Sequence, residues 1–155
     1  MEQTRILNKR LNLDEKIYKA NKIISLLNDY FNVDCMIPIR KYNILITRHI
    51  AIYFIHKYIP ISTIEIGKLF NSKNNKFLDH ATILHAKNKI ADLIPIDKEI
   101  KGYVEDLEKD AKNIALLSYE ELVRFKIKEE ILLKIKNYNV LGLSRLNNEI
   151  LIMPV

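Results

Sequence analysis

The chain has 155 residues, 48% of them hydrophobic, with 25 basic and 19 acidic side chains and a formal charge of +6; this is one domain's length with enough apolar mass for a core, which excludes a disordered chain. Its apolar runs fall short of the ~18 residues that a membrane span requires, and the start Met1-Glu2-Gln3-Thr4-Arg5 lacks a signal-peptide core, so a cytoplasmic protein with no membrane partner is expected. Cys35 is the only cysteine, which excludes an intrachain disulfide and argues against a thiolate metal site.

Three glycines and four prolines interrupt long stretches of helical apolar spacing, which predicts a mainly α fold, a bundle of about five to six helices. Residues 14–33 read as a first helix, with Asp14 as N-cap and Ile17, Ile24, Leu27 and Phe31 on the buried side. Residues 34–44, holding Pro38 and the pair Arg40-Lys41, read as irregular. A second helix is expected over about 46–59. Ile46, Ile50, Ile52, Tyr53 and Phe54 make it apolar nearly all round, as a central core helix is, and Pro60 stops it. Ser62-Thr63-Ile64-Glu65 has the capping-box pattern and opens a short helix ending near Phe70. A polar, basic loop over 71–78 leads to Asp79, an N-cap for a helix running to Ile94 and stopping before Pro95. The next helix, about 97–117, places Ile100, Val104, Leu107, Ala111 and Ile114 on one stripe, although Gly102 costs it ~1 kcal/mol. Residues 119–136 repeat Val123, Ile127, Ile131 and Ile135 every fourth position and predict one more amphipathic helix. Two apolar segments around Asn147-Asn148, within 140–153, allow a small C-terminal β-hairpin.

The positive charge is uneven. Residues 1–47 carry 8 basic and 5 acidic side chains (+3), and residues 48–95 carry 7 and 3 (+4). Residues 96–117 carry 4 and 6 (−2), and residues 118–155 carry 6 and 5 (+1). An excess in the first two thirds suits a polyanionic partner, and it equally suits a merely soluble surface. The helix after Asp79 is more informative. At about 100° per residue, Ile83, Ala86, Ile90, Leu93 and Ile94 gather on an inner face, while Thr82, His85 and Lys89 gather on the outer one, flanked by Ala81 and Asn88. A hydroxyl, an imidazole, an amide, a methyl and a cation on one stripe are groups that read base edges and phosphates. Spacing alone also fits an ordinary solvated helix face.

The order of residues resolves this further. Arg48-His49, Ala51-Ile52, Ser62-Thr63-Ile64-Glu65-Ile66-Gly67-Lys68-Leu69-Phe70, Asp79-His80-Ala81-Thr82-Ile83-Leu84-His85-Ala86 and Lys89-Ile90 follow one another in register. From Thr47 to Ile90 the chain resembles the DNA-binding domain of the bacterial replication initiator family DnaA. Its motif runs from an Arg-Gln pair through Ser-x-x-Glu-Ile-Gly-x-x-Phe to Asp-His-Thr-Thr-Val-Leu-His-Ala and Lys-Ile. A looser likeness extends from about Ile17 to about Lys109. The resemblance implies a helix-turn-helix, with Asp79, His80, Ala81 and Thr82 at bases in the major groove and Arg48 in the minor groove. It implies Thr63 and Ile64 at bases or sugar-phosphate, Arg40 and Lys41 clamping the backbone, and Lys89 at a basic position of the family.

The departures are as specific. Where the family has Gly-Gly-Arg, eight residues, Asn71 to Leu78, separate Phe70 from Asp79, so Lys73 and Lys76 either replace the usual arginine or belong to a loop that obstructs docking. Ala81 replaces a threonine but keeps a methyl for a thymine. No Gly-x-x-x-x-Gly-Lys-[Ser/Thr] loop is present, so a full initiator with its ATPase domain is not expected. His80 and His85 lie about 140° apart on their helix, and His49 and His56 lack partners at ligand spacing, so neither metal nor cofactor is expected. No catalytic constellation stands out, so the chain is not expected to be an enzyme. The expectation is a DnaA-like DNA-binding domain over residues 1–117 and an extension of unknown role over 118–155. Its function would be sequence-specific binding of double-stranded DNA in replication or transcription control, of the kind a phage or mobile element uses. Replication proteins or a second copy of the chain are the candidate partners of the extension. The alternative is an interaction or structural protein that keeps the fold without specific DNA reading. A specific binder should expose Arg48 and the Asp79–Thr82 turn on one basic face.

Overall fold

The computed structural model describes residues 12–70 and 76–146, with side chains through Tyr138. All of its regular elements are helices: α1 (Leu13–Phe31), α2 (Tyr42–Tyr58), α3 (Thr63–Lys68), α4 (His80–Leu93), α5 (Lys98–Ala115) and α6 (Tyr119–Leu146). They fall into two units, one carrying α1 to α5 and one carrying α6.

In the first unit α2 is the hub. It packs most extensively on α4 and α1, and also on α5 and α3. The sequence dictates this position, because Ile46, Ile50, Ala51, Ile52, Phe54 and Ile55 leave α2 no polar face over its middle, and all are buried. Around it lie Ile23, Ile24 and Leu27 of α1, Ile66 of α3, Ile83, Ala86 and Ile90 of α4, and Ile100, Val104, Leu107 and Ala111 of α5. Phe54 is fully buried between the rings of Tyr53 and Tyr58, with centroids at 5.6 and 6.2 Å. Polar ties close the rim. Lys57 Nζ and Tyr58 Oη both reach Glu108, the former at 2.7 Å, and Tyr30 Oη donates to Asp106 at 2.7 Å. Lys19 Nζ donates to the Ala115 carbonyl at 2.6 Å, a cation at the negative end of α5.

Several helix ends differ from expectation. The N-cap of α1 is Asn12, not Asp14. Asn12 Oδ1 accepts from Glu15 N–H at 3.0 Å and Glu15 Oε2 accepts from Asn12 N–H at 2.8 Å, a reciprocal box that Asp14 cannot make. The helix ends at Phe31, and Asn32 turns the chain with φ 50°. α2 starts at Tyr42, within the stretch expected to be irregular, and Lys41 in its N-cap position supplies no side-chain acceptor. Ser62 caps α3 by accepting from Glu65 N–H at 3.2 Å, but the Glu65 carboxylate pairs with Lys68 at 3.0 Å instead of reaching back. α3 ends at Lys68, and α5 begins after the N-cap Asp97.

In the second unit, the expected helix over 119–136 continues to Leu146, so Val140 to Leu143 are helical and the β-hairpin does not form there; its second half lies outside the described residues. Ser118 and Glu121 explain the start: Ser118 Oγ accepts from Glu121 N–H at 3.2 Å and Glu121 Oε2 accepts from Ser118 N–H at 2.7 Å. Once nucleated, a helix adds one hydrogen bond per residue, which carries it through Asn137, Asn139 and Gly142.

Candidate nucleic-acid interface

The candidate site is built on the junction of α3 and α4. Gly67 on α3 lies against the chain that leads into α4: the Leu78 N–H donates to the carbonyls of Gly67 and Phe70, both at 3.2 Å. A Cβ at position 67 would stand 2.1 Å from the Leu78 carbonyl oxygen, so only glycine allows this approach. Leu78 is thereby fixed, and with it the next residue, Asp79. The Asp79 carboxylate caps α4 by accepting from Thr82 N–H at 2.7 Å, and these bonds from Thr82 hold its pKa below the usual carboxylate value. The first turn of α4 therefore projects from a short, covalently and sterically defined corner.

Asp79, His80, Ala81, Thr82, His85 and Lys89 are all exposed, whereas Ile83, Ala86 and Ile90 of the same helix are buried. His80 Nδ1 is hydrogen-bonded to Thr63 Oγ1, tying the start of α3 to the start of α4. Ile64, beside Thr63, keeps 61% of its surface exposed, and Phe77, two residues before Asp79, keeps 60%. Lys76 is exposed next to it, while Lys73 lies outside the described residues. Sequence reasoning did not single out Phe77; its signal is a lone aromatic in an otherwise polar loop.

Arg40 and Lys41 are exposed just before α2. Arg48 is not. It is 7% exposed, with Nε donating to the Cys35 carbonyl at 2.8 Å and Nη2 to the Ile37 carbonyl. The loop after α1 leaves these carbonyls without helical partners, and the guanidinium satisfies both. An exposed Arg48 beside the Asp79–Thr82 turn is thus absent from this structure. Asn28 grips the same loop from the other side, its Oδ1 accepting from Cys35 N–H at 3.0 Å. Burial raises the Cys35 thiol pKa to about 11.

His49, the residue after Arg48, is buried within α2. Its Nδ1 has no hydrogen-bond partner, and its pKa falls to about 4. Burial is the main cause, and the charges of Lys89, His85 and Arg48 add to it. Among the described residues no group of three or more His, Cys, Asp or Glu side chains is arranged to hold a metal ion, and no helix is long and apolar enough to cross a membrane.

Comparison with known proteins fits this geometry. Residues 20–90 match a family model described as the bacterial dnaA protein helix-turn-helix. The chromosomal replication initiator protein DnaA of Bdellovibrio bacteriovorus is 34% identical over 98 residues, 61% of this chain and 20% of that protein. The DnaA of Flavobacterium psychrophilum is 31% identical over 90 residues, 56% of this chain and 18% of that one. That of Bacteroides thetaiotaomicron is 27% identical over 124 residues, 70% of this chain and 25% of that one. The chain spans about a fifth of the length of these curated relatives. No solved structure matches it significantly.

Proposed function

We propose that this chain binds double-stranded DNA sequence-specifically, a reading supported by the match of residues 20–90 to the bacterial dnaA helix-turn-helix family model. In this reading residues 1–117 are the DNA-binding part and residues 118–155 an extension. One observation carries it: the first turn of α4 is exposed with Asp79, His80, Ala81 and Thr82 outward, on a corner that Gly67 and Leu78 hold in place. The N-terminal part of a recognition helix is the part that enters the major groove. His80 and Thr82 supply donors and acceptors for base edges, the Ala81 methyl and exposed Ile64 suit thymine methyls, and Thr63 sets the His80 ring.

The remaining cations are assigned to the backbone. Arg40 and Lys41 lead into the N-terminus of α2, where Lys41 supplies no cap and the Ile44 N–H is taken up by Asn43 Oδ1 at 2.9 Å; the positive dipole end there favours a phosphate. His85, Lys89, Lys76 and Lys73 add attraction without base preference. Arg48 acts first through the loop: by holding the Cys35 and Ile37 carbonyls it sets the path of the chain into Arg40 and Lys41. Entry of its side chain into a minor groove requires release of both bonds. The role proposed for the binding is control of replication or transcription in the bacterial cytoplasm.

The buried Arg48 favours one competing reading, a DnaA-like fold that serves protein contacts and binds DNA only generically. Selection of sites from random duplex DNA separates the two. Recovery of a common sequence that binds at least ~100-fold tighter than a scrambled duplex supports sequence-specific binding. Recovery of unrelated sequences with equal affinities supports the competing reading.

A further inference from the structure

His80 opens α4 as an exposed side chain, and its Nδ1 is hydrogen-bonded to the hydroxyl of Thr63, half-buried at the start of α3. The far end of α3 is pinned as well, because the Leu78 N–H donates to the Gly67 and Phe70 carbonyls, both at 3.2 Å. The ring is therefore tied to a neighbouring helix whose own position is fixed. A neutral imidazole carries one N–H, so the direction of the Thr63 bond decides what the outer nitrogen, Nε2, presents. With the hydroxyl as donor, Nε2 keeps the proton and donates outward. With Nδ1–H as donor, Nε2 is left as an acceptor.

We propose that Thr63 is a positioning residue for His80: its hydroxyl donates to Nδ1 and holds the ring in the Nε2–H tautomer, so that His80 reads an acceptor on a base edge. The tautomer follows from the protein alone; the base-edge role rests on the DNA-binding reading. The surroundings select this direction. Nδ1 is the ring nitrogen nearer the backbone, at the N-terminal turn of the 14-residue α4, where the positive dipole end favours a lone pair over a further N–H. The carboxylate at that end, Asp79, is engaged by the Thr82 N–H at 2.7 Å. A proton on Nε2 is also the form that free neutral histidine prefers. The threonine hydroxyl turns freely about its C–O bond, so donating requires no rearrangement. The N–H presented outward fits guanine O6 or N7, adenine N7 or thymine O4; cytosine, which shows a donor, offers it nothing. Fixing the ring on folding also spares binding the entropy of ordering it.

Nitrogen NMR of the full, isotopically labelled chain tests the tautomer without DNA. Long-range proton–nitrogen correlations are recorded at a pH where the ring is neutral, and His80→Gln identifies the His80 signals by their loss. The expected spectrum shows a protonated Nε2 and a bare Nδ1. Thr63→Val should give a mixture of both tautomers, and Thr63→Ser should keep the wild-type pattern. A protonated Nδ1 in wild type, or a wild-type pattern in Thr63→Val, overturns the proposal. Affinity for a duplex selected from random sequence tests the consequence. Thr63→Val should weaken it about three- to tenfold, the worth of one hydrogen bond, and leave a scrambled duplex unchanged. In a His80→Ala background the same change should cost less than about twofold, because the two residues act as a unit. An undiminished loss in that background gives Thr63 a contact of its own and overturns its action through His80. Equal wild-type affinities for the two duplexes would instead overturn the sequence-specific reading and the base-edge role with it, an outcome the nitrogen spectrum does not touch.

Discussion

Replacing Gly67 with alanine tests the corner on which the whole site stands. Helix propensity alone predicts a gain, because alanine is favoured over glycine inside a helix by ~1 kcal/mol. The structure predicts the opposite sign. The new Cβ would lie 2.1 Å from the Leu78 carbonyl oxygen and 3.2 Å from its carbon, and neither is a side chain that can swing aside. Relief requires the backbone at Leu78 to withdraw, which stretches its hydrogen bonds to Gly67 and Phe70. Overpacking of this kind costs ~1–3 kcal/mol, and a backbone obstacle belongs at the upper end. Both bonds share the single Leu78 N–H, so weakening this bifurcated bond adds ~1 kcal/mol. After subtracting the propensity gain, Gly67→Ala should destabilise by ~2–3 kcal/mol. Gly102→Ala is the internal control: nothing lies within 4 Å of its Cβ position, so it should stabilise by ~0.5–1 kcal/mol. Urea denaturation followed by circular dichroism measures both, and the slope m should stay constant, so that midpoints alone report stability. A Gly67→Ala midpoint equal to or above wild type would refute the close approach of α3 and Leu78.

Phe54→Ala should cost ~3–5 kcal/mol in the same assay, because it empties the fully buried centre of α2; a loss under ~1 kcal/mol would remove α2 as the hub. Stability should also depend on His49. Its ordinary pKa of 6.5 falls to about 4 in the folded chain, so the unfolded state binds more protons between those values. Stability therefore falls as pH drops from about 6.5 to about 4, on the order of 2–3 kcal/mol in all. His49→Gln should flatten that part of the pH profile, and an unchanged profile would show that His49 is not buried neutral. Affinity for duplex DNA should fall with salt by about 0.9 of a log unit per log unit of salt for each phosphate contact, and Lys76→Ala should lower the slope by about one contact; a salt-independent affinity would remove nucleic acid as the partner.

The sequence showed most of the helical core because its signals are local. Apolar repeats mark α1, α4 and α5, a run that is apolar nearly all round marks α2, and Asp79 and Ser62 act as the caps their positions suggest. The missed boundaries have equally local reasons. Asn12-x-x-Glu15 and Ser118-x-x-Glu121 are capping boxes in the sequence, but Asp14 is a plausible competitor for the first, and the second lies where the pattern changes. The start of α2 at Tyr42 carries no signature at all, since Lys41 offers no acceptor. Within the site, the exposed residues of α4 follow from helical geometry around Ile83, Ala86 and Ile90. Arg48 was not legible, because its direction is set by two loop carbonyls thirteen and eleven residues away. His49 was not legible either: its burial depends on how α2 meets α4. The need for glycine at position 67 comes from a contact with Leu78 that only the folded chain makes.

The most direct test of the DNA-binding proposal is a parallel titration of wild type and His80→Ala against a selected duplex and a scrambled one. The His80 ring is exposed at the first turn of α4 and tied to Thr63, so its loss removes a group at the base edges while leaving the cations in place. Wild type should prefer the selected duplex. His80→Ala should lose ~1–3 kcal/mol on that duplex and little on the scrambled one, compressing the ratio between them. Equal losses on the two duplexes would contradict base reading by α4 and leave only a generic basic surface.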